Sequence, residues 1–405
     1  MVMPPRTPTT SSMRILELDA LRGLAVVGIV WMNVYVFALP FQAYVNPSVW
    51  GWETPIDRWV WTASFVFVED KFRTLFAILF GAGCLILVER AEAEGDSRVW
   101  RAHFARMAVL FMIGIAHSVL LASNDVLRAY AVAGLAIPVL ASLSHRALFA
   151  IAIGLVVVHV GGGMVAFGTA LIDFYAGRTG SAIFLSAQRQ FGGDPGALEY
   201  AIRLGQEGFG ERVLRRIDGI PSQLRLLAAS IPINLAAMAL GMALWKCGLL
   251  KGEWRTFQLQ RLAAICAVLA IPALLGLSFW TVSSEFASPV AALSALILST
   301  PFDTLLGLSY AALAMAFFGP GGAVSERLAK IGRLSLTNYL MTSLVLAAIF
   351  ASWGMGLFGQ VSRAEAFTLG FVPTILMALW SPWWLARLGQ GPAERLWRWT
   401  SARLS

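Results

Sequence analysis

ALFAIAIGLVVVHVGGGMVAFGTALI, residues 147–172, runs from Ala147 to Ile172 without an Asp, Glu, Lys or Arg, and its one titratable group is His159. A helix needs about 20 apolar residues to cross the hydrocarbon of a bilayer. Inside lipid no water is present to satisfy backbone amides, so a run of this kind must be helical. Comparable runs recur near residues 23–41, 72–88, 103–121, 126–143, 223–245, 259–280, 300–318, 334–352 and 365–385. The pattern predicts an all-α, polytopic transmembrane helical bundle of about ten spans, with residues 1–405 as a single integral membrane domain. Composition agrees, because 58% of the chain is hydrophobic and 13% charged, where a soluble domain carries roughly a quarter of its residues as charges. No alternating, barrel-like stretch is present.

A formal net charge of +8 raises the question of nucleic acid, but the basic residues sit at span ends and not on a polar domain. Arg22, Arg90, Arg98, Arg101, Arg106, Arg146, Lys246, Lys251, Lys330, Arg333, Arg387 and Arg395 fall on one side of the alternation. Only Arg58, Arg128 and Arg363 fall in the short segments of the other. The positive-inside rule then places both termini in the cytoplasm. The partner implied is the lipid bilayer, with no nucleic acid. The first apolar run begins at Gly23 with no small-residue cleavage site after it, so it reads as a retained span. Cys84, Cys247 and Cys266 are odd in number and widely spaced, which suggests packing residues and no metal site.

Residues 173–222 form the one long polar segment, read as an outer, periplasmic or extracellular, loop that ends in a surface helix and either is solvated or caps an outer cavity. Glu69-Asp70-Lys71-Phe72-Arg73 divides 59–88 into a short apolar piece, interfacial or re-entrant, and a full span.

Phosphate-cradling, zinc-protease and nucleophile-elbow motifs are absent. What remains is a set of ionisable and amide groups at membrane depth, where each is costly. His117 reads as a general base or as a bonded core histidine, and His159 as a packing site. Asp125 and Arg128 pair with each other or face a cavity. Glu69, Asp70, Lys71 and Arg73 form a structural network or line a path. Arg14, Glu17, Asp19 and Arg22 open the first span, which carries Asn33. Arg22 and Arg333 at the cytoplasmic end either cap helices or fork onto a phosphate, with Asn338 and Tyr339 as neutral hydrogen-bonding neighbours. By depth along the spans, His117, Asn33, Asp125, Arg128 and part of Glu69–Arg73 are expected around one cavity open to the outer leaflet.

Arg14-Ile-Leu-Glu-Leu-Asp19-Ala-Leu-Arg22-Gly23 with Asn33 resembles the opening of the YeiB-like family (domain of unknown function 418). The resemblance continues through Lys71-Phe-Arg-Thr-Leu-Phe76, Phe80-Gly-Ala-Gly83, Gly114-Ile-Ala-His117, Asp125-Val-Leu-Arg-Ala-Tyr-Ala131, Gly332-Arg-Leu-Ser-Leu-Thr-Asn-Tyr-Leu340 and Gly391-Pro-Ala-Glu-Arg-Leu-Trp-Arg398. More distantly, the opening resembles the transmembrane acyltransferases, comprising acyltransferase-three enzymes and lysosomal glucosaminide acetyltransferases. Acyltransferase-three enzymes place histidine where this chain has Asn33, and an amide cannot act as a base near neutral pH.

The YeiB-like resemblance implies a multi-pass protein of the cytoplasmic (inner) membrane of a bacterium. The acyltransferase resemblance implies transfer of an acetyl or other acyl group from a cytoplasmic donor to a membrane or outer-face acceptor. His117, Asn33 and Asp125 would be catalytic, with Asp19, Arg22, Glu69, Lys71, Arg73, Arg128, Arg333, Asn338 and Tyr339 binding substrate or donor. No resident cofactor or metal is implied, and acyl-CoA would be a co-substrate alongside an unidentified acceptor. A transporter or permease for a polar solute is the alternative.

Overall fold

The computed structural model describes residues 16–123 and 125–404, so Arg14 and the two termini, Met1 and Ser405, lie outside the described residues. Every regular element described is helical. The first span, α1 (Leu16–Ala38), leads into the short α2 (Phe41–Val45). Next come α3 (Pro55–Phe67) and α4 (Lys71–Ala93), which together make one passage from Pro55 to Ala93. The interruption between them is at Asp70, whose φ of 62° lies in the left-handed region. A short polar side chain tolerates that backbone, and here it also grips Arg73 one turn on.

α5 (Val99–Leu120) follows, then α6 (Leu127–Gly134), α7 (Ile137–Ala141) and the 31-residue α8 (His145–Tyr175). The apolar run 126–143 is thus no single span. Gly134 and Pro138 weaken the ladder between α6 and α7, and His103 of α5 bonds the Gly134 carbonyl left open there at 2.9 Å. The run still crosses the bundle. It starts at Arg128, bonded to Gln223, and ends at Ala141 and Leu143, whose carbonyls accept from Lys246 Nζ. Gln223 and Lys246 lie near opposite ends of α12 (Ile220–Lys246).

The polar segment after α8 folds into three short helices, α9 (Ala182–Phe191), α10 (Pro195–Gly205) and α11 (Phe209–Asp218). The remaining helices are α12 (Ile220–Lys246), α13 (Thr256–Ser283), α14 (Ser288–Leu293), a π-helical turn at Ser294–Leu298, α15 (Thr300–Phe317), α16 (Ala323–Gly332), α17 (Ser335–Phe350), α18 (Arg363–Leu369), α19 (Phe371–Leu388) and α20 (Pro392–Leu404).

Seven helical passages among the described residues are long and apolar enough to cross a bilayer, and nine when the bent pairs 288–298 with 300–317 and 323–332 with 335–350 each count as one. The broken α6–α7 passage accounts for the difference from ten. The chain is a helical, multi-pass membrane protein.

Two ends of the bundle are distinguishable by their charges, an Asp19 face and a Glu69 face. Packing at the Asp19 face is tight enough to require small residues. A Cβ on Gly23 would meet the Leu328 carbonyl oxygen at 2.0 Å, and one on Gly332 would meet the Asp19 carbonyl oxygen at 1.9 Å. This contact seats α16 against the start of α1, and the chain then turns by 81° into α17.

Candidate functional site

His117 sits one turn before the end of α5, and the loop that follows folds back so that Asp125 reaches it. The His117 Nδ1 and Asp125 Oδ1 are 2.8 Å apart, and both side chains are essentially inaccessible. The same carboxylate takes the Arg128 amide at 2.9 Å through Oδ2, with the Arg128 guanidinium at 3.6 Å and the Tyr339 hydroxyl donating to Oδ1 at 3.4 Å. Arg128 also donates to Gln223 Oε1 and to the Ser123 carbonyl. An ionised carboxylate can only accept, so opposite it Nδ1 carries the ring proton, and a neutral ring in that tautomer presents its lone pair at Nε2. That Nε2 is buried and has no partner among the described residues. Gly114 makes the arrangement fit, since a Cβ there would lie 2.7 Å from Asp125 Oδ2 and 2.9 Å from the Arg128 nitrogen.

A second group of charges occupies the Glu69 face. Lys71 Nζ lies 2.6 Å from Asp303 Oδ1 with both side chains buried, and also donates to the Phe65 carbonyl. Arg73 forks onto Asp70 at 2.6 and 2.5 Å and reaches Asn234 Oδ1 at 2.7 Å. Glu69 is 3.8 Å from Arg363, which lies over the Tyr35 ring at 4.4 Å. Arg363, counted from sequence as a charge of a short outer segment, is completely buried. Six charges of opposite sign thereby balance, which is how ionised groups persist away from water.

The third feature is a cavity of about 660 Å³ that opens at the Asp19 face, the reverse of the outer-leaflet opening expected from span depth. Its mouth carries Asp19, Arg22, Arg90, Arg333 and Arg398, and its depth is apolar, ending on Leu127, Tyr130 and Tyr339. Arg22 Nη1 donates to Asp19 Oδ1 at 3.2 Å. Tyr339 is the residue shared with the histidine site: its hydroxyl bonds Asp125, its ring centre is 5.1 Å from that of His117, and it lines the cavity.

The residues singled out in the sequence thus separate into three groups. His117, Asp125, Arg128 and Tyr339 meet. Glu69, Lys71 and Arg73 meet elsewhere, where Tyr130, two residues after Arg128, donates its hydroxyl to the Arg73 carbonyl at 3.0 Å. Asp19, Arg22 and Arg333 line the cavity mouth. Asn33 is buried on α1 and hydrogen-bonds none of these groups among the described residues. Asn338 lines no part of the cavity, because its amide is taken up by the Ile331 carbonyl, Ser381 and Trp380 at the bend between α16 and α17.

Sequence reasoning passed over Asp303, Tyr130, Gln223 and Glu394. Asp303 carried a usable signal, being an acid inside the apolar run 300–318. Glu394 stood inside a segment that carries the family resemblance, but its role could not be read there, because it depends on distant chain. It caps α17, accepting the Leu336 amide at 2.8 Å, the Thr337 amide at 3.2 Å and the Thr337 hydroxyl at 2.5 Å.

Comparison with known proteins adds the family. Residues 244–403 match the description "Protein of unknown function (DUF418)". The uncharacterized protein YeiB of Escherichia coli (strain K12) is 31% identical over 95% of each chain. The uncharacterized protein YxaH of Bacillus subtilis (strain 168) is 27% identical over 96% of this chain and 95% of its own. No solved structure matches. With this identity sustained over nearly its whole length, the chain belongs to the YeiB-like DUF418 family.

Proposed function

We propose that the protein is a membrane acyltransferase of the bacterial cytoplasmic membrane, with the Asp19 face and both termini in the cytoplasm and residues 173–222 outside. The observation that carries this reading is the His117–Asp125 pair, which leaves a buried imidazole nitrogen with an unused lone pair. Tyr339 joins that pair to the cavity. In the proposed reaction the acceptor's O–H or N–H gives its proton to His117 Nε2 as the heteroatom bonds the acyl carbon. The carbon–sulfur bond of an acyl thioester then breaks, and the leaving thiolate takes the proton from Nε2. Asp125 steadies the imidazolium formed in between, and Arg128 holds Asp125. At the mouth, Arg22 and Arg333 suit the phosphates of an acyl-CoA donor, because guanidinium forks onto phosphate oxygens.

The test is purified protein in lipid nanodiscs given labelled acetyl-CoA and candidate acceptors. Label should transfer, and His117→Asn should reduce transfer by about 10²–10⁴-fold, the usual contribution of a positioned base. Absence of both donor binding and label transfer would overturn the reading. The paired charges of the Glu69 face favour a second reading, permeation of a polar solute. Flux into proteoliposomes that stops on substituting Lys71 or Asp303 would decide for it.

A further inference from the structure

We propose that α20 is a docking helix for anionic phospholipid, seated in the headgroup layer at the Asp19 face. The span α19 ends at Leu388, and Gly389 turns the chain with a φ of 69°. Trp384 bonds the Gln390 carbonyl at 2.8 Å, and Arg395 bonds the Leu388 carbonyl at 3.2 Å. These bonds fix α20 directly after the end of a span, which is the level of the membrane surface.

Its two faces differ in what they meet. One carries Glu394, Trp397 and Ser401 at helical spacing and is turned inward: Glu394 caps α17, Trp397 donates to the Arg106 carbonyl of α5 at 2.9 Å, and Ser401 is buried. The other carries Leu396 and Trp399, with Leu404 at its end, each more than half exposed. No described protein group covers that apolar stripe. Arginine accompanies it throughout. Arg403 lies 3.6 Å from the Trp399 ring centre, and at the end of α19 Arg387 lies 4.4 Å from that of Trp383, another half-exposed indole.

A half-exposed indole beneath a guanidinium suits the boundary between acyl chains and headgroups, where the ring meets hydrocarbon and the cation meets phosphate. The charge balance selects the lipid. Arg387, Arg395, Arg398 and Arg403 face one acid of this helix, Glu394, whose carboxylate is consumed by α17. The surplus is positive, so the occupant is an anionic lipid surface. Trp397 and Arg398 also line the cavity, so lipid held on the outer face steadies a cavity wall on the inner one.

The experiment is hydrogen–deuterium exchange of residues 392–404 in the full-length protein, in nanodiscs of phosphatidylcholine alone or of phosphatidylcholine with phosphatidylglycerol. Exchange should slow by about an order of magnitude in the anionic discs, as expected of basic side chains near a charged surface. The double variant Arg387→Gln/Arg403→Gln should lose that difference while peptides from α4 and α12 exchange as in the wild type, which controls for folding. Equal exchange in the two lipids would overturn the proposal, as would protection that follows the number of protein copies per disc in place of lipid charge. Neither readout involves acyl transfer, so the result stands apart from the function proposed above.

Discussion

Asp125 serves His117, Arg128 and Tyr339 at once, and Lys71 and Asp303 serve mainly each other; the two sites therefore respond differently to substitution. Lys71→Met leaves Asp303 as an uncompensated buried charge, and destabilisation of about 3–5 kcal/mol is expected. Lys71→Met combined with Asp303→Leu removes both charges and should recover most of that loss, because a well-packed apolar pair often equals a buried ion pair. Thermal unfolding in detergent measures both, and a double variant no more stable than Lys71→Met would show that Asp303 has other obligations. His117→Asn should behave unlike either. It keeps a donor near Asp125 and leaves the chain folded, so its effect should be confined to chemistry. Gly114→Ala tests the same site sterically, since its methyl group would press on both the Asp125 carboxylate and the Arg128 backbone. Loss of fold stability there with an intact Gly161→Ala control, at a mid-helix glycine whose added Cβ would meet nothing within 4 Å, would confirm that close approach, and not helix propensity, explains the glycine.

At the scale of elements, the bend between α16 and α17 is the joint on which the site depends. Tyr339 lies in the first turns of α17, and the start of that helix is fixed by Glu394 from α20. A carboxylate at a helix N-terminus both accepts orphan amides and opposes the helix dipole. Glu394→Ala is expected to cost about 0.5–2 kcal/mol and to loosen Tyr339 from Asp125. Altered exchange of the α17 amides would report it, and unchanged exchange would separate the cap from the site. α11 plays a similar part at the Glu69 face. Arg216 donates from it to the Val119 carbonyl of α5 at 3.3 Å, and burial pulls that guanidinium down to about 10. The group thus stays charged near neutral pH while holding α11 over the end of α5, close to His117.

For the whole molecule, whether the passages are even in number is the property that can be checked most directly. Counting α6–α7 as a passage brings α1 and α20 to the same face, the one proposed above as cytoplasmic from its basic excess. Reporter fusions at Met1 and Ser405 should both report a cytoplasmic location, and one near Gly192 an external one. Opposite locations for the two termini would mean that 127–141 does not cross, and the arrangement of Lys246 against Ala141 and Leu143 would then have to be abandoned. The cavity and the buried charges face different ends of the bundle, so an impermeant reagent that reaches the cavity should do so from the Asp19 face. Cys84 lines that cavity, while Cys247 and Cys266 do not.

Composition and apolar run length alone determined that this chain is a helical membrane protein, because lipid allows a long apolar segment only one economical backbone. The same logic marked His117, Asp125, Lys71 and Arg73 as residues needing partners, since an ionisable group at membrane depth cannot stay unpaired. It could not name those partners. Periodicity reports which residues share a helix, but Asp303 and Lys71 are joined across more than two hundred positions, and Glu394 reaches α17 from the far end of the chain. Depth along a span likewise grouped Asn33 with His117, although depth says nothing of which way a helix face is turned. That choice, and with it the cavity at the Asp19 face, was made by tertiary packing: the close fit of Gly23 against Gly332 and the fold-back of Asp125 onto His117 depend on contacts between segments that no local pattern records.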